Sequence, residues 1–334
     1  MDIAATNIYS KGTVQPRFIL EYKSKDISDF ISPYYEEITF VDLEDGESDE
    51  ITITLEDSQK IWREDWYPQK GSSLKLFIGY WGEKLLPCGE FSIDEIEIIP
   101  QKVILKGISA SIKKSLREKN TNNYQNTTLR KIIQSFAAKH NYTLVGNISD
   151  VSLRISMQNK KSDLSFIKDL AHKYGYNFKI YDNKLVFYNL EELEQASPVL
   201  KLSPTDLTNY SFRDKTTNTY KACSLSYFDP QKGKTIKVET QAKEQVTGDT
   251  LKINEKCSSK EDALLLTKSA LKRNSRTIEG SISLAGNTKI FSGVIIEITG
   301  ISKIIDGKYI VAHTTHKISK QTGYITEAEV RKIA

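Results

Sequence analysis

Strict alternation of apolar and polar positions marks two stretches near opposite ends of the chain. Between Lys70 and Gly107, Leu74, Leu76 and Ile78 alternate with polar or outward positions, Gly79 and Gly82 break the run, and after Gly89 it resumes at Phe91 and Ile93. From Ser292 the same phrase returns more weakly: Val294, Ile296 and Ile298 alternate, Gly300 breaks, Gly307 restarts, and Tyr309 and Val311 follow. Successive side chains of a strand point to opposite faces, so both stretches predict β-strands. Gly71, Gly79 and Gly89 in the first, and Gly293, Gly300 and Gly307 in the second, are the expected turns of a repeated β unit.

The echo extends upstream. Asp26 to Phe30 is matched by Asp206 to Tyr210, and each precedes an expected hairpin. Thr39 to Asp42, with Gly46 after it, corresponds to Ser226 to Asp229 with Gly233 after it, and alternation resumes at Ile51 and Ile53 and at Ile236 and Val238. The landmarks keep their order at uneven spacing, which predicts a diverged duplication of one β domain rather than a solenoid of short regular units.

Between the copies the period changes. Leu129, Ile132, Ile133, Phe136 and Ala137 form one apolar face of a helix, with Thr127 or Thr128 as N-cap. A second helix opens at Ser162 or Asp163, turns Leu164, Ile167, Ala171 and Tyr174 inward and stops at Gly175. A hairpin follows, with Tyr176, Phe178 and Ile180, a turn at Asp182 and Asn183, then Leu185 and Phe187. Glu191 to Pro204 is polar with two prolines and reads as a linker, and a further helix is expected from Ser259. The predicted fold class is α+β, mostly β. Its expected domains are 1–115, a small α/β module over 116–192, and 193–334 with a helical insertion around 240–280.

At 334 residues the chain exceeds what one core comfortably serves. A net charge of +4 is small for this size and argues against sequence-specific nucleic-acid binding. Cys88, Cys223 and Cys257 spell out neither a disulfide framework nor a zinc site. No run of apolar residues is long enough to span a bilayer, and no signal peptide is legible, so synthesis in a reducing cytoplasm and no stable membrane insertion are expected. Six carboxylates crowd Asp42 to Glu50 without the spacing of an EF-hand loop, which predicts a solvated hairpin tip. Trp62 and Trp66, four residues apart, are candidates for contact with a neighbouring subunit or partner, or for packing over the mouth of a barrel.

Catalytic signatures are absent: there is no phosphate-cradling glycine loop, no HExxH and no GxSxG. His313 and His316 fall three apart in an expected strand and so face opposite ways, which does not make a metal pair. His140 and His172 sit near the ends of the two central helices, where the dipole favours a capping role. Asp94, Glu95 and Glu97 lack a second acid at glycosidase separation and read as a solvated or interface edge. No catalytic residue, cofactor or metal is expected.

Leu55 to Asp57, Trp62, Trp66 to Pro68, Lys70, Gly71 and the run Cys88 to Ile96 resemble the first domain of the phage late control D family, the hub proteins of contractile-tail baseplates. Thr128 and Leu129, Gln158, Ser162 to Phe166, Tyr174 and Gly175 are similar to its central module, and Asp306 to Ile310, His316 and Gly323 to Thr326 to its closing strands. The resemblance runs from about residue 10 to the end. It implies a structural homotrimer in the tail baseplate, each chain with two tube-like β-barrel domains. Six similar barrels would form a pseudo-sixfold ring that joins a sixfold tail tube to a threefold spike. Implied partners are the tube protein, the central spike, other baseplate proteins and, as a further candidate, the tape measure protein. The central module resembles LysM-like modules, which leaves peptidoglycan binding or cell-wall hydrolysis as the alternative. No spike or lysozyme-like domain is legible after the last strand. Phage tails, phage-tail-like bacteriocins and type VI secretion spikes share the architecture, and the sequence does not choose among them.

Overall fold

The computed structural model describes residues 14–110, 114–215, 220–229, 232–242, 248–257, 259–274 and 278–333. The first part contains β1 (Pro16–Tyr22), β2 (Lys25–Asp26), the short α1 (Ser28–Ile31), β3 (Tyr35–Leu43), β4 (Glu50–Glu56), β5 (Ser73–Tyr80), β6 (Leu86–Ile99) and β7 (Lys102–Ser109). The middle part contains β8 (Lys119–Thr128), α2 (Leu129–Lys139), β9 (Thr143–Val145), β10 (Ser152–Ser162), α3 (Asp163–Lys173), β11 (Tyr176–Tyr181), β12 (Lys184–Asn189) and α4 (Leu190–Glu194). The last part contains β13 (Leu200–Leu202), β14 (Asn209–Asp214), β15 (Tyr220–Asp229), β16 (Lys234–Gln241), β17 (Asp249–Ile253), α5 (Lys260–Arg273), β18 (Ile278–Ala285), β19 (Ile295–Ile298), β20 (Gly307–Ser319) and β21 (Gly323–Lys332). Mostly-β α+β architecture is therefore as expected.

The helices begin where the sequence places them. Thr128, Ser162 and Ser259 each lend a side-chain oxygen to a first-turn N–H of α2, α3 and α5 respectively. Gly175, with positive φ, ends α3. The stretch read as a linker is different: it contains α4 and then β13, which joins the sheet beside β19.

The barrels do not close. Instead, both ends of the chain share one sheet of thirteen strands, ordered β14-β18-β21-β20-β3-β4-β7-β6-β5-β1-β2, with β19 beside β20 and β13 beside β19. The junction is β20 against β3, from His313 opposite Leu43 to Ser319 opposite Glu37. On either side of it the strand order repeats. From the first part it runs β1-β5-β6-β7-β4-β3, and from the last part β13-β19-β20-β21-β18-β14. The outermost pair differs in sense, since β1 is antiparallel to β5 and β13 parallel to β19.

Backbone bonding repeats with the order. The Gly71 N–H donates to Ile93 O at 2.7 Å and the Ile93 N–H to Ser72 O at 3.0 Å. In the last part the Gly293 N–H donates to Val311 O at 2.7 Å and the Val311 N–H to Val294 O at 2.9 Å. Register shifts by a residue after Ile93 in β6 and after Val311 in β20, so the two long strands carry the same bulge. Gly79, expected at a turn, lies inside β5, and the positive φ of that turn belongs to Gly82.

The upstream hairpin match is corrected by the same registers. Phe40 faces Ile51 and Ile38 faces Ile53 across β3 and β4, and the strands that occupy this place in the last part are β14 and β18, where Phe212 faces Gly280 and Tyr210 faces Ile282. β15 and β16 instead form a separate three-stranded sheet with β17. What interrupts the second copy is thus everything between β14 and β18: three strands and α5, a larger piece than the helical insertion expected around 240–280. The sequence pattern was deceptive because any amphipathic hairpin shows the same alternation.

Three cores follow. One fills the first part, with Ile318 and Tyr324 contributed across the junction. A second lies among β13, β18, β19, β20 and β21 of the last part. The third is shared: Phe166, Ile167 and Leu170 of the middle part pack with Leu225, Val238 and Leu266 of the insertion.

At the β3–β4 turn, Asp45 and Gly46 both have positive φ, and a Cβ on Gly46 would lie 2.4 Å from Cζ of Phe178 in β11. Only glycine satisfies the turn and admits that ring. Gly46→Ala is expected to lower unfolding free energy by about 2 kcal/mol or more, measured by urea denaturation.

Candidate functional site at the junction of the three parts

The acidic loop is the centre of the chain's polar architecture, not a solvated tip. Asp42, Glu44 and Asp49 are buried, whereas Glu47 and Glu50 are exposed. Asp42 shares a face of β3 with Ile38 and Phe40, and Glu44 follows just past the strand's end; both carboxylates are covered by residues of the middle part.

Asp42 joins all three parts. One carboxylate oxygen accepts from the Ser292 N–H at 2.7 Å and the other from the Ser292 hydroxyl at 2.7 Å. The Lys179 ammonium of β11 contacts Asp42, lies 3.5 Å from Asp49, and donates to the Ser292 hydroxyl at 2.9 Å. Asp49 also accepts from the Leu43 N–H at 2.9 Å, which closes the loop on itself. Burial pushes the Asp49 carboxyl up to about 7 and the Lys179 ammonium down to about 7. The attraction between the ammonium and the two carboxylates acts the other way and favours the charged forms.

The rest of the loop is held by neighbouring elements. Glu44 accepts from Asn177 at 2.6 Å and from the Tyr188 hydroxyl at 2.5 Å, and burial together with the Glu44 charge pushes the Tyr188 phenol well up. His172 contacts Asp45, and Lys168 approaches Glu47 at 3.3 Å. Arg273 of α5 donates to Tyr176 O at 2.5 Å, Asn177 Oδ1 at 2.7 Å and His172 O at 3.1 Å. The insertion is thereby locked onto the same strand that binds the loop.

His172 therefore works as a carboxylate partner across parts rather than as a cap. His140 does occupy the C-cap position of α2, but its ring is buried and its Nε2 lies 2.8 Å from Asp163. Asp163 also accepts from Lys139 at 2.6 Å, Gln158 at 2.8 Å and Asn120 at 3.1 Å. Burial opposes ionisation of Asp163, yet the bonds from Gln158, Lys139, His140 and Asn120 outweigh it and hold the group at about 2.

The other singled-out residues scatter. Trp62 is 5% exposed and belongs to the first core, with ring contacts to Phe30 and Tyr34, so it is not available to a partner. Trp66 is 57% exposed and lies over Phe30 at 4.5 Å. His316 is buried between Ile290 O and the Tyr324 hydroxyl, and burial pushes it down to about 4, whereas His313 points away from it at the surface side of the strand. Glu95 and Glu97 share Lys106 at 2.9 and 3.2 Å on the edge of β6. Among the described residues no cluster of His, Cys, Asp or Glu could hold a metal ion. An open groove of about 700 Å³ runs between β10, α3 and α5, past Ile155, Met157, Phe166 and Tyr174. Sequence reasoning missed the buried loop and this groove, which only the packing of the insertion on the middle part creates.

No protein-family profile matches the chain. Two curated relatives do. The probable baseplate hub protein of Escherichia phage 186 is 23% identical over 98% of this chain and 96% of its own length. That of Escherichia phage P2 is 26% identical over 52% of this chain and 46% of its own length. Among solved structures, a 43 kDa prophage tail protein from Shewanella oneidensis has a TM-score of 0.71 at 12% identity over 95% of this chain and 98% of its own. A type VI secretion component of E. coli, described as structurally similar to bacteriophage T4 tail proteins, has a TM-score of 0.55 at 10% identity over 90% and 74%. The resemblance to baseplate hub proteins read from the sequence is matched by these relatives, and the structures share the fold.

Asp42→Ala is expected to cost about 3 kcal/mol by urea unfolding, because it strands the Lys179 ammonium, and adding Lys179→Met is expected to recover much of the loss. The Asp163 pKa lies below its unfolded value, so its contribution of about 2 kcal/mol is full above the ordinary carboxylate range and fades as pH falls toward 2. Asp163→Asn is expected to lower stability at pH 7 and to flatten the decline between pH 5 and 3, followed by urea midpoints across that range.

Proposed function

We propose that this chain is the baseplate hub of a contractile phage tail or phage-tail-like particle, with a structural rather than a catalytic role. The relative from phage 186, similar along nearly the whole of this chain, and the one from phage P2, similar along about half of it, are both named as probable baseplate hub proteins. The observation that carries the rest is the repeated strand order on either side of β20 and β3. A chain with two similar halves, present in three copies, offers six similar surfaces to a sixfold tube and three equivalent ends to a threefold spike. In this proposal the chain divides at 1–115, 116–192 and 193–334. It forms a homotrimer in the virion or particle baseplate, and contacts the tail tube protein, the central spike, other baseplate proteins and the tape measure protein. Trp66 is retained as a contact residue, since an exposed indole is favoured at interfaces.

A second reading, glycan binding by the middle part, draws on the groove between β10, α3 and α5. Retention on purified peptidoglycan, lost on substitution of the exposed groove residue Met157→Ala, favours it.

Light scattering coupled to gel filtration of the full chain, with and without a candidate spike protein, tests the hub reading. The expected mass is about three times 37.9 kDa. A monomer under both conditions overturns it.

A further inference from the structure

One side of β20 serves two neighbours: β19 along Gly307–Ile310 and β3 along His313–Ser319. The corresponding side of β6 has β5 along Leu86–Ser92 and, among the described residues, no strand beyond Ile93. β14, which holds the place of β3 in the second copy, pairs with β18 on one side and with no described strand on the other. The chain therefore contains one complete junction and the two unmatched halves of another.

We infer that β6 of one chain and β14 of a second copy pair antiparallel, in the register that β20 and β3 use within the chain. This rests on the hub reading and names the surface through which its copies meet. Register is transferred by structure alone. The shared bulge sets Glu95 in the place of His313, and the cross-strand partners set Phe212 in the place of Phe40. Glu95 then faces Lys215, Ile96 faces Asp214, Glu97 faces Arg213, Ile98 faces Phe212 and Ile99 faces Ser211.

Charge played no part in that transfer, yet both acids meet bases. Directly opposed unlike charges stabilise an antiparallel pair and like charges weaken it. The other face brings together Ile98, 48% exposed, and Tyr210, 42% exposed, with the half-buried Phe212. A third pair follows from the loop before β19. Asp42 is bound there by Ser292, and the corresponding residues are Asp214 and Lys70, again of opposite sign.

Present ion pairs do not stand in the way. Glu95 and Glu97 share Lys106, and Lys215 approaches Glu279 at 2.7 Å, but all these side chains are exposed and such pairs hold little free energy. The charges also forbid the wrong pairing, because β6 against β6 sets acid near acid and β14 against β14 sets base near base. A contact between two different edges of identical chains is head to tail, the kind that closes into a ring.

The test uses the full chain with Cys257→Ser, leaving the buried Cys88 and Cys223. Directly opposed residues of an antiparallel pair stand about 4.5–5.5 Å apart at Cα, within disulfide reach after mild oxidation. E97C with R213C is expected to give linked dimers and closed trimers on a non-reducing gel, while either variant alone, and the off-register pair I96C with R213C, stay unlinked. In a dilution series followed by light scattering, E97R or R213E is expected to weaken association about tenfold, and the two together to restore it. Trimers that neither link nor respond to charge reversal overturn the pairing and leave the hub reading standing, with these edges then open to another tail protein. Chains that stay monomeric at every concentration, with and without the candidate spike protein, overturn both.

Discussion

Three segments remote in sequence meet at one buried carboxylate. Asp42 lies on the strand that joins the two halves of the great sheet, Lys179 on a strand of the middle part, and Ser292 on the loop that opens the second β5-like strand. A buried ion pair adds little net stability, because removal of both charges from water offsets their attraction. What it does enforce is position. Any displacement of the middle part by a few ångströms would strand the Lys179 ammonium, take both partners from Glu44 and leave Asp42 and Asp49 without their counter-charge, so the arrangement of the parts is specified far more sharply than apolar packing alone would require.

A second constraint acts from the other side. The insertion does not hang from the last part as an independent lobe. Its apolar residues complete the core of the middle part, and Arg273 reaches the backbone of β11 beside Asn177. The middle part is therefore gripped by the acidic loop on one side and by α5 on the other, and the chain behaves as a sheet with one compact body fixed against it.

Local chemistry was legible in the sequence where local chemistry decides. The capped helices, the alternation around Leu74 and Val294, and the paired glycines Gly71 and Gly293 all follow from propensity and period. Misreadings came where tertiary packing overrode them. Asp42, Glu44 and Asp49 look like a solvated tip because acidic side chains are seldom buried, and their partners Lys179, Asn177 and Tyr188 lie 130 or more residues away. Trp62 and Trp66 have the same residue type and opposite fates, since Asp57 holds the Trp62 backbone N–H and turns that indole inward. The hairpin at Tyr227 mimicked the one at Phe40 because alternation records only which face is buried, not which sheet the strand joins. The resemblance to hub proteins bridged the long range, through residues whose spacing alone carries no such information.

The pairing of β3 with β20 has a consequence for the order of events during synthesis. Asp42 and Thr314 are separated by 272 residues. At roughly 5–20 residues per second, β3 emerges from the ribosome tens of seconds before the strand that covers it. Throughout that interval the first part presents a bare edge with Val41, Phe40 and Ile38 along it, the kind of surface that captures other nascent chains. The last strands of this protein thus act as its final closure, and a truncated product released early would carry a sheet without its rim.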